Sequence, residues 1–264
     1  MLKDRLDEQD AVLEDLRDGV ATLTLNRPHQ LNALSQSMLE ALQGALDRLS
    51  GDAGLRCVVL AASGKAFSAG HDLAEMRRMS SEEQYRALFA RCSRMMESIR
   101  SLPVPVIARV QGLATAAGCQ LVGSCDLAIA SQTARFAVSG INVGLFCSTP
   151  AVALSRNVSA KRAFDMLVTG RFIDASTACD WGLLNEVVPP ERLDEAVAAK
   201  AREIAAKSPA AIRHGKAMFY RQQHMALSEA YAYAGEVMAR NILETDARSG
   251  IDAFLDRRKP STGA

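Results

Sequence analysis

Two sixteen-residue segments of this chain share one order of features. Val58–Leu73 reads VVLAASGKAFSAGHDL, and Val106–Leu121 reads VIARVQGLATAAGCQL. Each opens on an apolar run of strand character, turns at a glycine (Gly64, Gly112) and ends in A-G-x-x-L. Alone, A-G-x-x-L is a weak signal. Twice, each time after a strand and a glycine turn, it predicts a repeated strand–turn–helix unit. A helix start leaves backbone N–H groups without partners and carries partial positive charge. Alanine and glycine at such a start either let a helix pack closely on a strand or leave room for a ligand atom to reach those N–H groups. Two starts brought together would aim two donors at one oxygen, the arrangement of an oxyanion hole.

The rest of the chain frames these units. Val20–Leu25 alternates and predicts a strand, broken at Asn26-Arg27-Pro28. Residues 35–49 predict a helix with Ser35 as its N-cap; Met38, Leu42, Ala45, Leu46 and Leu49 fall on one face. Further strands are expected at 57–62, 104–110, 126–130, 135–138 and 187–188. Helices are expected at 82–100, from 148, and at 160–168, 191–207, 209–222, 227–243 and 247–257. No strand signal follows residue 188. The expected organisation is therefore a mixed β/α body over residues 1–205 and a helical region over 206–264, too small to bury a core of its own. In the helical region Leu227, Tyr231, Ala234, Met238 and Ile242 form one stripe. It is either intrachain core or a subunit contact.

Composition narrows the classes. The formal net charge of +1 over 264 residues gives no electrostatic footprint for nucleic acid. No apolar run approaches the ~20 residues of a membrane span. MLKDRLDEQD lacks an apolar targeting core, so no secretory signal is expected. The six cysteines form no C-x-x-C pair, which argues for scattered thiols in a reducing compartment and against a metal site. The expected location is the cytoplasm, or an organelle matrix for a mature form.

FSAGHDL (67–73), GLATAAGCQL (112–121), LNRPHQLNALS (25–35) and FLDRRK (254–259) together resemble the crotonase superfamily of enoyl-CoA hydratases and isomerases. The resemblance runs from about Leu23 to Lys259. GLATAAGCQLVGSCD with INVGLFCSTP is further similar to the subfamily of enoyl-CoA hydratase domain-containing protein 3. The resemblance implies an α/β fold, a spiral of ββα units followed by a C-terminal helical trimerisation region. It implies a homotrimer or a dimer of trimers, a coenzyme A thioester as substrate, and no tightly bound cofactor. Carried over residue by residue, the oxyanion hole is the backbone N–H of His71 and of Ala117. Ala69 and Gly70 line the adenine pocket, Lys65 lies near the phosphates of coenzyme A, and Phe254 and Lys259 touch the nucleotide.

The chain departs from that pattern at two places. Family hydratases use two glutamates to hold and deprotonate a water. Their positions are Gln120 and Gly140 here. An amide accepts and donates hydrogen bonds but takes up no proton near neutrality, and glycine offers only backbone. Ordinary hydration is therefore expected to be weak. Decarboxylation of a malonyl-type thioester, which needs an enolate but no base, and acyl-CoA binding without turnover both stay open. The His71 imidazole is a candidate proton carrier, with a structural bond to Asp72 as the alternative. Asn142 and Ser139 are candidates to order a water. Cys147 reads as a buried inert thiol rather than a nucleophile, and Asp126 as structural. Tyr85 and Arg86 carry no assignment.

Overall fold

The structure is a computed structural model and describes residues 10–257. Ten strands form two sheets. The larger, six-stranded sheet runs in the order β1 (Val12–Arg17), β2 (Val20–Leu25), β3 (Cys57–Ala62), β5 (Val106–Val110), β7 (Leu127–Ser131), β10 (Glu186–Val188). The smaller runs β4 (Ala66–Ser68), β6 (Leu113–Thr115), β8 (Arg135–Ala137), β9 (Ile173–Asp174). The β1–β2 hairpin is antiparallel, and every later pair of the large sheet is parallel.

The sequence repeat becomes a spatial one. Each turn of the chain lays one strand in the large sheet, one in the small sheet, and then a helix. β3 and β4 lead to α2 (Leu73–Arg78). β5 and β6 lead to α4 (Ala117–Ser124). β7 and β8 make a third turn, which ends in a 3-10 segment at Ser139–Val143 and then α5 (Ser148–Leu154). The spiral of ββα units is thus the observed fold. β4, β6 and β9, two or three residues each, lie outside the strands expected from the sequence. β1 escaped because its outer positions are exposed and charged.

Burial follows from this layering. All six residues of β3 are buried, as expected of a strand covered on both faces. One face meets the main core, to which α1 (Gln36–Ser50) and α3 (Glu82–Ser101) contribute Leu42, Leu46, Met95 and Ile99. The other face, through Cys57, Val59, Ile107 and Ile129, is covered by Leu193, Val197 and Ala201 of α8 (Leu193–Ala205). The helix starts obey local chemistry. Ser35 accepts from the N–H of Met38, and Ser81 with Gln84 forms a capping box at α3. Between α5 and α8 in the chain lie α6 (Ala160–Thr169) and α7 (Ala175–Asp180). The chain finishes in α9 (Pro209–Gln222), α10 (Leu227–Ile242) and α11 (Thr245–Arg257).

The helical region is held to the body at one buried polar cluster. Lys216 of α9 donates from Nζ to Asp126 (2.7 Å) and to the carbonyls of Ile99 (3.1 Å) and Val104 (2.8 Å). Tyr220 donates its hydroxyl to the other oxygen of Asp126 at 2.6 Å, and the N–H of Val106 donates to Asp126 at 2.7 Å. The two charged side chains are only 7% and 11% exposed. Asp126 is therefore structural, as expected. Its pairing is the kind whose disruption is costly, because the remaining charge stays buried without a partner. Lys216→Met is expected to lower stability by about 3–5 kcal/mol in equilibrium denaturation, and Tyr220→Phe by about 1.5–3 kcal/mol.

Candidate active site

The two A-G-x-x-L segments meet, though not as equivalents. In the second, α4 begins at Ala117, so the motif is helical from its first residue. In the first, the helix begins only at Leu73, capped by the Asp72 carboxylate on the N–H groups of Ala74 and Glu75. Gly70 precedes it with φ +90°, a conformation that lets the chain turn before the helix starts. The contact between the segments is backbone on backbone. A Cβ on Gly70 would stand 3.1 Å from the Ala117 nitrogen and 2.9 Å from the Ala116 Cβ. A Cβ on Gly118 would stand 2.2 Å from the Ser68 carbonyl oxygen. Only glycine permits either approach.

Among the described residues neither the His71 nor the Ala117 N–H donates to another backbone carbonyl. Ala117 is the first residue of α4, so its N–H has no acceptor within the helix. Ala116 before it holds φ 51° and ψ −121°, an unfavourable region for a residue with a Cβ. Such strain costs on the order of 1–3 kcal/mol and persists only where the surroundings enforce it. Here the enforcing contacts are Gly70 and the bond from the Ala116 N–H to the Ala137 carbonyl at 3.0 Å. His71 pairs with Leu34 as an isolated bridge. The bridging bond runs from the Leu34 N–H to the Gly70 carbonyl at 2.7 Å, so it does not use the His71 N–H.

The loop LNRPHQLNALS supplies the bed for this segment. Asn32 is fully buried. Its side chain accepts from the Arg27 N–H and donates to the carbonyls of Ser63 and Ala66 at 2.9 and 2.8 Å. Ser68 donates to the Asn32 carbonyl, and the Ala69 N–H to the Leu31 carbonyl. The motif is thus a clamp that fixes the position of residues 66–71.

A cavity of about 260 Å³ opens at the junction. Ala69, His71, Ala116, Ala117 and Gly140 lie on its wall. Leu73, Met76, Phe89, Val143, Leu145 and Phe146 supply its apolar side. Those six were not singled out in the sequence. Phe89 and Met76 carry no motif, and only packing reveals that α3 leans over α2. Tyr85 takes a role there: its hydroxyl donates to the carbonyls of Met76 and Met79 at 3.0 and 3.2 Å, which closes the C-terminal end of α2. Arg86 is exposed and pairs with Glu82.

The remaining expectations separate. Gln120 is only 5% exposed, but it lines a neighbouring chamber rather than the cavity; Thr149 borders both. Its Oε1 is buried without a hydrogen-bond partner. Gln120, three residues on from Ala117, thus borders the neighbouring chamber. Gly140 lies on the cavity wall, but a Cβ there would stand 2.5 Å from the Leu145 carbonyl oxygen and 2.8 Å from the Cys147 sulfur. The Gly140 N–H donates to Cys147 Sγ at 3.3 Å. Burial pushes the Cys147 thiol up, and this hydrogen bond opposes the shift only in part. Ser139 shares a hydrogen bond with Thr115 at 2.8 Å. The imidazole of His71 does not bond Asp72. Its Nδ1 lies 3.4 Å from the Leu34 carbonyl, its ring meets Phe89 edge-on at 5.7 Å, and its Nε2 is buried without a partner. Burial holds the imidazole below its ordinary value of 6.5. Lys65 is exposed and not part of the cavity wall, as is Phe254 on α11. Lys259 lies outside the described residues. Among those residues no three His, Cys, Asp or Glu side chains come together as a metal set.

The model of the Enoyl-CoA hydratase/isomerase family matches residues 15–263. The chain belongs to that family. Within it, a curated relative called Enoyl-CoA hydratase domain-containing protein 3, mitochondrial, from Rattus norvegicus is 44% identical, over 92% of this chain and 81% of that protein. The solved structure of human enoyl Coenzyme A hydratase domain-containing protein 3 superposes with a TM-score of 0.89 at 45% identity, covering 95% of this chain and 99% of that one. An enoyl-CoA hydratase structure from Mycobacterium smegmatis superposes with a TM-score of 0.93 at 57% identity, covering 96% and 98%. Positions 120 and 140 carry an amide and a glycine, not carboxylates. The spiral is intact, yet position 140 has no room for a side chain. Gln120→Glu with Gly140→Glu is expected to give no hydratase turnover on crotonyl-CoA, followed by loss of the enoyl-thioester absorbance. Gly140→Glu alone is expected to cost about 1–3 kcal/mol or more of stability through the clash with Leu145 and Cys147.

Proposed function

We propose that this chain binds an acyl-CoA thioester in the cavity and polarises its carbonyl between the N–H groups of His71 and Ala117, without ordinary hydratase turnover. The observation that carries the reading is Ala117 at the open start of α4, on the cavity wall, pressed against Gly70. A preorganised donor of this kind is commonly worth ~3 kcal/mol to a developing oxyanion. The apolar side, from Leu73 to Phe146, suits a neutral acyl chain. Ala69 and Gly70 then lie against the adenine, with Lys65 and Phe254 near the nucleotide. Hydration lacks its acid–base pair: Gln120 carries an amide away from the cavity, and Gly140 no side chain. General acid–base catalysis by a positioned group contributes typically 10²–10⁴-fold, so its loss leaves little of that reaction.

One observation favours a second reading, decarboxylation of a malonyl-type thioester. The lining holds no carboxylate to repel the substrate's own, while Ser139, Ser148 and Thr149 offer hydroxyls to it. Thermal shift and product mass for a panel of acyl-CoAs separate the readings. Binding at ~100 times Kd adds ~2.7 kcal/mol of stability. Stabilisation by neutral acyl-CoAs without hydration supports the first reading. Loss of carbon dioxide from a malonyl-type CoA supports the second, and a shift without any turnover makes the chain a binder. No shift with any thioester refutes all three.

The reading extends to residues 206–264 as an oligomerisation region. On α10, Leu227, Tyr231 and Met238 are 74–75% exposed and Ile242 52%, so the chain's own body leaves this stripe uncovered. A homotrimer, alone or paired, would cover it. Light scattering is expected to give three or six chains per particle, and Leu227→Asp with Met238→Glu to give a smaller one. The compartment is taken as a reducing one, cytoplasm or organelle matrix. All six cysteines are free thiols, and five are buried. The word mitochondrial in the names of the domain-containing protein 3 relatives agrees with the matrix.

A further inference from the structure

A groove between the C-terminal end of α3 and α9 encloses about 500 Å³ and shares no lining residue with the acyl cavity. Its wall carries Arg100, Arg213, Lys216 and Arg221, and no aspartate or glutamate. The chain as a whole holds 31 lysines and arginines against 30 acidic residues, so this wall departs from an almost even balance. Lys216 is already spent. Its Nζ donates to Asp126 and to the carbonyls of Ile99 and Val104, and Asp126 also accepts from Tyr220 and the Val106 N–H. That pair adds little net charge.

The three arginines are different. Among the described residues none of their guanidinium groups is paired with a carboxylate. Two of them are nevertheless held in place. Arg100 lies over the Tyr220 ring at 4.2 Å, and Arg221 over the Tyr233 ring at 4.8 Å. The Tyr220 ring is itself fixed, by its hydroxyl on Asp126 at 2.6 Å and by an edge contact with Phe219 at 5.3 Å. A guanidinium has five N–H donors, and contact with a ring spends none of them on an acceptor oxygen. Holding the side chain also removes part of the entropy that a ligand would otherwise have to freeze out. Like charges gathered on one concave wall without a counter-charge repel one another, and a bound anion relieves that repulsion.

We propose that this groove is an anion site for a small phosphate-bearing molecule, separate from the thioester site. The guanidinium fork matches phosphate oxygens two at a time, with geometry that an ammonium lacks. A phosphate group carries about −1.5 to −2 charges near neutral pH, so one or two such groups balance three guanidiniums. Arg100 and Arg221, held by their tyrosines, receive the phosphate oxygens, and the exposed Arg213 supplies the third charge. Lys216 keeps its bond to Asp126 and takes no direct part.

The test is calorimetric titration of the full chain with pyrophosphate, at an ionic strength held constant with sodium chloride. Wild type is expected to bind one pyrophosphate per chain. Arg213→Gln with Arg221→Gln is expected to weaken binding ~10-fold or more, and Arg100→Gln by a similar factor. Arg86→Gln changes an arginine already paired with Glu82 and is expected to leave binding as it was. Saturating butyryl-CoA is expected to leave it as it was too, because groove and cavity share no residue. Thermal unfolding of each variant without ligand checks that the fold is kept. Arg213→Glu alone gives a second route, since Arg213 is exposed and its charge reversal is expected to weaken binding ~10-fold or more. No saturable heat in wild type, or undiminished affinity in the double variant and in Arg213→Glu, overturns the proposal. Displacement of pyrophosphate by butyryl-CoA does so as well, since it assigns the anion to the thioester site.

Discussion

The site depends on close backbone approach between successive turns of the spiral. Gly112 sits where a Cβ would stand 2.0 Å from the Lys65 carbonyl oxygen, Gly118 at 2.2 Å from that of Ser68, and Gly70 at 3.1 Å from the Ala117 nitrogen. These contacts bring β4 against β6 and both against the start of α4. They also hold Ala116 in a backbone conformation that it would not adopt alone. A Cβ at any of these glycines would meet the facing backbone, so their lack of one is what lets the two segments lie together.

A second dependence runs through Asp126. It closes the turn after α4 by accepting the Val106 N–H, and it receives Lys216 and Tyr220 of α9. The same residue thus closes the turn after α4 and anchors the helical region. With its orientation fixed there, that region presents the exposed stripe of α10 outward. The clamp at Asn32 performs the equivalent service on the other side, tying the loop after β2 to residues 63–71. The cavity is built between these two polar anchors. Its own lining is left apolar and almost without charge.

Much of the architecture was legible in the chain. The apolar run CVVLAA predicts a buried strand, and it is covered on both faces. Ser35 predicts a cap and accepts the N–H of Met38. The repeat at 58–73 and 106–121 predicts two like units, and the small residues in it do permit close approach. Where local signals were brief, they failed. β4 and β6 are three residues each, and their strand character comes from pairing with one another rather than from propensity. The acyl-side residues Met76 and Phe89 were equally silent. They look like any apolar residues on amphipathic helices until α3 leans over α2.

The sequence by itself determined the repeat, the interval between glycines, the split between a β/α body and a helical region, and the absence of carboxylates at positions 120 and 140. These are properties of residue type and order, and packing cannot change them. Tertiary structure alone decided how those residues are used. Position 140 is closed to any side chain by the Leu145 carbonyl, a contact set by how the segment 139–147 folds back on itself. Gln120 lines the neighbouring chamber, which shares Thr149 with the cavity. His71 gains an unpartnered nitrogen because Leu34 and Phe89, 37 and 18 residues away in the chain, close around its ring. Burial and hydrogen-bond balance are sums over neighbours, and those neighbours exist only once the chain has folded.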